Sequence, residues 1–313
     1  MIHGISFLPQ HTNVPFIKGR YLTYTLSVLM ILAVFIAYFT KGLNYGIDFK
    51  GGIMMEFKTT QPADIATMRH QINQLGLGEF SLQEYGSPHD VLVRLEHQPG
   101  GEKGQVAAVD KVKTSLGAGV DLRRVESVGP KVGEELISNG IQAILWGLLA
   151  MLVYIWLRFE WQFGLCAILA LVHDAIGVMA LYTIFGFEFN TTAIVAILTT
   201  IGYSINDTVV IYDRVRENLR RFKKKPLEEL LNLSINETLS RTILTSGSTL
   251  LALFALYFFG GEVIATYSLP LIIGVIVGTY SSICFAGPLL HSFNLTLETS
   301  EEAKEGNASN AQK

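Results

Sequence analysis

Charge is what this chain has least of. Of its 313 residues only 16% are Asp, Glu, Lys or Arg, while 50% are apolar. The apolar residues fall in blocks of about twenty separated by polar stretches, a polytopic membrane pattern that excludes an ordinary soluble core. Cysteine is nearly absent. Cys166 and Cys284 both lie inside apolar blocks, so no disulfide framework, Cys-x-x-Cys or Cys/His metal spacing exists. Enzyme signatures are missing as well: no histidine sits in His-Glu-x-x-His, and neither a Gly-x-Ser-x-Gly elbow nor a P-loop occurs. Tyr212-Asp213 faintly suggests an intramembrane aspartyl protease, but no second Asp in a Gly-x-Gly-Asp context follows. The expectation is a protein without enzymatic activity, with no metal or organic cofactor and no nucleic-acid partner. The net charge of −3 says little, because the charges are segregated along the chain.

What is present is six apolar spans and one polar insert. The cytoplasmic N-terminus is expected at 1–20 and the first span at 21–40, too long for a signal-peptide core and without a small-x-small cleavage site. The other spans are expected at 136–157, 163–185, 190–212, 242–259 and 263–288. A basic cytoplasmic loop at 213–241 and a polar, disordered cytoplasmic tail at 289–313 complete the chain. Between the first two spans, 41–135 has the composition of a soluble domain. Its periodicity alternates strand, helix, strand, strand, helix, strand: 53–57, 64–75, 80–85, 91–95, 105–116 and 120–128. That order predicts a small α+β ferredoxin-like domain, an antiparallel four-stranded sheet with both helices on one face.

Orientation follows from Lys and Arg in the short loops. Lys18, Arg20, Arg158, Arg214, Arg216, Arg220, Arg221, Lys223, Lys224, Lys225 and Arg241 fall on one side, and the loops at 186–190 and 260–262 have none. Both termini are expected in the cytoplasm and the α+β domain outside, in a periplasm or its equivalent.

Two carboxylates enter the spans, Asp174 and Asp207. A charge near mid-membrane costs about 2.5–3.5 kcal/mol on insertion scales, and such residues mark ion or proton pathways. Asp207 shares a helix stripe with Thr200 and Tyr203. Arg241 begins a second polar stripe, continued by Thr245 and Ser248 or Thr249, and both stripes start near the same membrane face. An Asp207–Arg241 pair that separates would let the carboxylate take up a proton; the alternative is a static ion pair that sets helix register. A carboxylate in a polar stripe would accept either a proton or sodium. His173 and Asp174 could belong to a relay, but adjacent helix residues point about 100° apart, which favours structural hydrogen bonding. Gly274 and Gly278, with Ser282, form a small-residue packing face.

Four motifs resemble a known family. Gly46-Ile47-Asp48-Phe49-Lys50-Gly51-Gly52 resembles the Asp-Phe-x-Gly-Gly signature of SecF, the smaller subunit of the bacterial SecD–SecF export complex. Residues 128–133 (Val-Gly-Pro-Lys-Val-Gly) are similar to that family too, as are 202–207 with 213–218, and Ser240-Arg241-Thr242. The resemblance covers essentially the whole chain. It implies an RND-superfamily half bundle in the bacterial inner membrane, paired with SecD and associated with the SecYEG channel and YajC. Driven by the proton gradient, the complex would help pull an unfolded exported polypeptide outward through the lipid bilayer. It also implies proton coupling at Asp207 and Arg241; beside them this reading of the residues adds Tyr203 and Asn206, with Asp174 and His173 as secondary candidates. Asp48, Phe49, Gly51 and Gly52 would form a joint, read with equal weight as a flexible hinge or a fixed tight turn. A second reading is half of a small-molecule RND exporter, although the outer segment is small for one.

Overall fold

The computed structural model describes residues 12–293, and the expected tail beyond 293 and the first eleven residues of the N-terminus lie outside the described residues. Among the described residues six helices are long and apolar enough to cross a membrane. The chain divides into two compact units.

One unit comprises 40–145 and 182–195. It holds a short helix α2 (Ile47–Lys50), then β1 (Gly52–Thr59), α3 (Ile65–Asn73), β2 (Phe80–Tyr85), β3 (Ser87–Leu95), α4 (Gly101–Leu116) and β4 (Val120–Val128). The strands are ordered β2-β3-β1-β4, with every neighbouring pair antiparallel. Side chains on a strand alternate faces, so Ile53, Met55 and Phe57 of β1 stand beside Leu95, Val93 and Val91 of β3 on one face. Met68 and Ile72 of α3 and Ala108 and Val112 of α4 join these residues in one core. Asp64 starts α3: Oδ1 accepts from the Ala66 and Thr67 amides at 3.1 Å, and Oδ2 accepts from Thr67 Oγ1 at 2.6 Å.

The other unit, 1–39, 146–181 and 196–313, is helical in its described part. Parts of α1 (Arg20–Lys41), α5 (Pro130–Arg158), α6 (Trp161–Thr183) and α7 (Thr191–Arg221) belong to it. With them are α8 (Leu227–Phe259), α9 (Gly261–Ser281), a π-helical segment at Ser282–Ala286, and α10 (Gly287–Ser292). Leu22, Leu26, Trp156, Leu251 and Phe259 are exposed, as expected of helices solvated by lipid rather than water. Small residues let α7 and α9 approach closely. A Cβ on Gly278 would lie 3.0 Å from Ser204 Cβ, and one on Gly274 only 1.9 Å from Thr200 Oγ1.

Both α7 and α8 run past the spans predicted at 190–212 and 242–259, forming a hairpin whose turn at 222–226 falls within the basic segment. Polar contacts hold its two arms together. Arg214 pairs with Glu237 and Glu217 at 2.7 and 2.6 Å, and buried Asn218 donates to Ser234 Oγ and Glu237 at 3.0 and 2.7 Å. Asn232 and Asn236 of α8 bind the backbone of Ile17 and Val14 ahead of α1.

Candidate functional site

Asp174 and Asp207 are buried on α6 and α7, with 0% and 3% exposure, yet they are held very differently. Asp174 is clamped. Oδ2 accepts from Ser204 Oγ of α7 and, at 2.8 Å, from Ser281 Oγ of α9, while His173 Nδ1 lies 3.1 Å from Oδ1. The His173 ring stacks on Phe285 of the π-helical segment at 4.9 Å. His173 and Asp174 therefore do share one buried site, although adjacent helix positions diverge; the imidazole reaches the neighbouring carboxylate through its own Nδ1. Ser282 of the same segment lies 2.9 Å from Thr208 Oγ1 and donates to the Ser204 carbonyl at 3.2 Å.

Asp207 faces hydroxyls of α8: Ser246 Oγ donates to it at 3.4 Å, and Thr245 is a second hydroxyl partner beside it. Ser246 Oγ also lies 2.7 Å from Thr279 Oγ1 of α9, which donates to the Val275 carbonyl at 2.7 Å. A hydroxyl can donate or accept by rotating. An ionised Asp207 accepts a hydrogen bond from Ser246; a protonated Asp207 donates to Ser246, which turns to Thr279, and the chain ends on the Val275 carbonyl. The hydroxyl chain thus offers either protonation state a partner.

Several predicted neighbours lie elsewhere. Arg241 is exposed and forms no direct ion pair among the described residues; it acts on Asp207 as a nearby positive charge rather than as a contact partner. Thr245, Ser248 and Thr249 turn their hydroxyls back to carbonyls of α8 itself, and the inward positions are Thr242 and Ser246. Tyr203 is half-buried with its hydroxyl unpartnered among the described residues, and Asn206 is exposed. Sequence reasoning missed Ser204, Ser246, Thr279 and Ser281. Their one available signal was helical spacing opposite the two carboxylates.

The predicted joint forms a tight turn with polar and ring contacts to the start of α7. Asp48 Oδ2 accepts from the Thr191 amide at 2.9 Å and from Thr191 Oγ1 at 2.7 Å, capping α7. Phe49 is buried against Phe189, ring centroids 5.5 Å apart. Gly51 (φ 72°) and Gly52 (φ 131°) hold left-handed conformations, and a Cβ on Gly52 would lie 2.4 Å from the Leu95 carbonyl oxygen.

Comparison with known proteins places these features. Residues 108–296 match the family model for the C-terminal region of the protein export membrane protein SecD/SecF, and 36–63 match the SecD/SecF GG motif. The protein translocase subunit SecF of Rickettsia felis is 44% identical over 296 residues, covering 93% of this chain and 96% of its own. That of Rickettsia prowazekii is 43% identical, covering 93% and 94%. The chain belongs to the SecF family. It is a multi-pass membrane protein of that family. SecDF of Thermus thermophilus matches in crystal structure with a TM-score of 0.81 and 34% identity over 92% of this chain. SecDF in a super-membrane-facing form matches with a TM-score of 0.65 and 34% identity over 97%. The chain spans 40% of the length of each SecDF protein. In this SecF-family chain the GG motif contains the Asp48 turn, and the export-protein region contains both buried carboxylates.

Proposed function

We propose that this chain is a non-enzymatic subunit of the protein-export machinery, and that it pairs with SecD to use the proton motive force across a bacterial inner membrane for late translocation. Asp207 is the coupling group. The observation that carries this reading is the contrast between the two carboxylates: Asp174 is fixed by three polar side chains from three helices, whereas Asp207 is buried with only hydroxyls of α8 beside it, Ser246 at 3.4 Å and Thr245, and no ion pair among the described residues. An uncompensated charge there is costly. Gaining or losing a proton changes that cost, and about 2.3 kcal/mol is released per proton across 100 mV. Arg241, one to two turns from Ser246 on α8, is the cation available to approach when the helices shift; Tyr203 and Asn206 line the route on α7. SecYEG and YajC are the further partners, an unfolded polypeptide the cargo, and sodium the alternative ion. Half of a small-molecule exporter is the less favoured reading, because relatives matching 93% of the chain are named translocase subunits.

The test is export into vesicles carrying the complete machinery, with and without a proton gradient. Asp207→Asn keeps size and hydrogen bonding but cannot titrate. At matched membrane levels it is expected to abolish the stimulation by the gradient while the chain still assembles with its partner. Stimulation equal to wild type would make Asp207 structural.

A further inference from the structure

The loop that leads into α7 is not the free surface connection its length suggests. The Gly46 amide donates to the Phe189 carbonyl and the Phe189 amide to the Asn44 carbonyl, both at 2.8 Å, so Tyr45 and Phe189 form a parallel bridge. Around Phe189 the rings of Phe49, Tyr182 and Tyr45 close at 5.5, 5.3 and 6.2 Å. From the sheet, Arg94 of β3 pairs with Glu188. From α5, Gly133 lies so close to the Phe49 carbonyl that a Cβ would come within 2.5 Å of its oxygen. Asp48 then caps α7 at Thr191. Four separate passages of chain thus meet in one packed joint: the exit from α1, strand β3, the start of α5 and the start of α7. All of them belong to the unit that contains the sheet.

We infer that this joint stays closed throughout the working cycle, so that the sheet domain and the N-terminal end of α7 move as one body. On this inference Asp48 is a positioning residue that acts on Asp207 through α7. The inference rests on the coupling role of Asp207 proposed above. Its physical basis is local. A carboxylate at a helix N-terminus satisfies donors that have no partner within the helix and complements the helix dipole. Here that carboxylate comes from a turn whose second glycine, Gly52, lies against the Leu95 carbonyl of β3. From Thr191, α7 continues without interruption to Arg221, and Asp207 lies about 24 Å along it at about 1.5 Å per residue. A rotation of the sheet domain therefore turns the helix that carries Asp207, and a change at Asp207 is delivered to the sheet domain by the same helix. A flexible glycine hinge would dissipate both.

A covalent lock tests this. Gly46 has φ −71°, which any residue adopts, and its ideal Cβ lies 3.2 Å from Asn190 Cβ, near the roughly 3.5–4.5 Å of a disulfide. The Glu188 carboxylate lies in the way, but it is the end of a flexible side chain and can turn aside. The readout is the ratio of export with a proton gradient to export without one, at matched membrane levels. Oxidised G46C/N190C is expected to keep the ratio of its own reduced form. Asp48→Ala is expected to lower the ratio several-fold, Asp48→Asn to retain most of it through its remaining acceptor oxygen, and oxidation of G46C/N190C to restore it in the Asp48→Ala background. Loss of export on oxidation, recovered on reduction, would mean the joint opens and would overturn the inference. So would a wild-type ratio for Asp48→Ala. If Asp207→Asn keeps a normal ratio in the same vesicles, the coupling role of Asp207 fails, while the comparison of oxidised with reduced chain still reports whether the joint opens.

Discussion

Thr200 occupies the space a side chain on Gly274 would need, and that one contact sets how near α7 and α9 can lie. A Cβ at Gly274 would stand 1.9 Å from Thr200 Oγ1 and 3.0 Å from Thr200 Cβ. Gly274→Ala is therefore expected to destabilise the chain by about 1–3 kcal/mol, the usual cost of overpacking. Adding Thr200→Ala should recover most of the loss, because the closest atom is then gone; thermal unfolding in detergent measures both steps. A double variant no better than the single one would place the conflict elsewhere. The same scale explains what the sequence made legible. Asp174 and Asp207 stand out because a carboxylate in an apolar run is costly. Ser204, Ser246, Thr279 and Ser281 do not, because Ser and Thr occur throughout membrane helices and often bond to their own helix, as Thr245 and Thr249 do here. Only the fold selects the hydroxyls that turn toward a neighbour.

Elements with their own periodicity were legible, two of them to the residue although β3 and α4 each begin four residues before the expected start, and elements that owe their shape to neighbours were not. The strand at 120–128 coincides with β4 and that at 80–85 with β2, since alternation reports a half-buried strand directly. The short α2 and the π-helical segment at Ser282–Ala286 had no such signature. α2 exists where Asp48 and Phe49 are held by residues far along the chain, and the π turn sits where Ser281 and Ser282 reach α6 and α7. Helix α3 offers a test confined to one element. The Thr67 hydroxyl, then the Thr67 and Ala66 amides, hold the Asp64 carboxyl below its ordinary range. A lowered folded-state pKa means the cap contributes above the unfolded value, about 3.9, and is lost as pH falls through the folded value. Hydrogen exchange at Ala66 and Thr67 should therefore accelerate below about pH 4. Asp64→Asn, which can still cap, should remove that pH dependence, and Asp64→Ala should leave these amides fast at every pH. A pH profile unchanged in Asp64→Asn would assign the effect to another group.

At the scale of the molecule, six candidate spans would return the chain to the side from which it started, and within the helical unit separate contacts bring particular helix ends together. Tyr24 near the start of α1 lies 3.3 Å from Ser292 at the end of α10, and Val14 is bound by Asn236 in the hairpin of α7 and α8. Arg158 at the end of α5 pairs with Asp213 at 2.6 Å, bringing the basic residues of α7 to the same end. Lys and Arg in short loops stay on the cytoplasmic face, while a long polar segment crosses largely regardless of its charge. Lys224 in the hairpin and Lys113 on α4 are both exposed, whereas Cys166 is buried and Cys284 half-buried, so a single introduced cysteine will dominate labelling. With a membrane-impermeant maleimide, Lys224→Cys is expected to react in inverted vesicles and stay silent in spheroplasts, and Lys113→Cys to do the reverse. Reaction of both from one side would put the sheet domain and the basic hairpin in the same compartment. That outcome would overturn the expectation that the sheet domain lies outside the membrane while the basic hairpin stays on the cytoplasmic face.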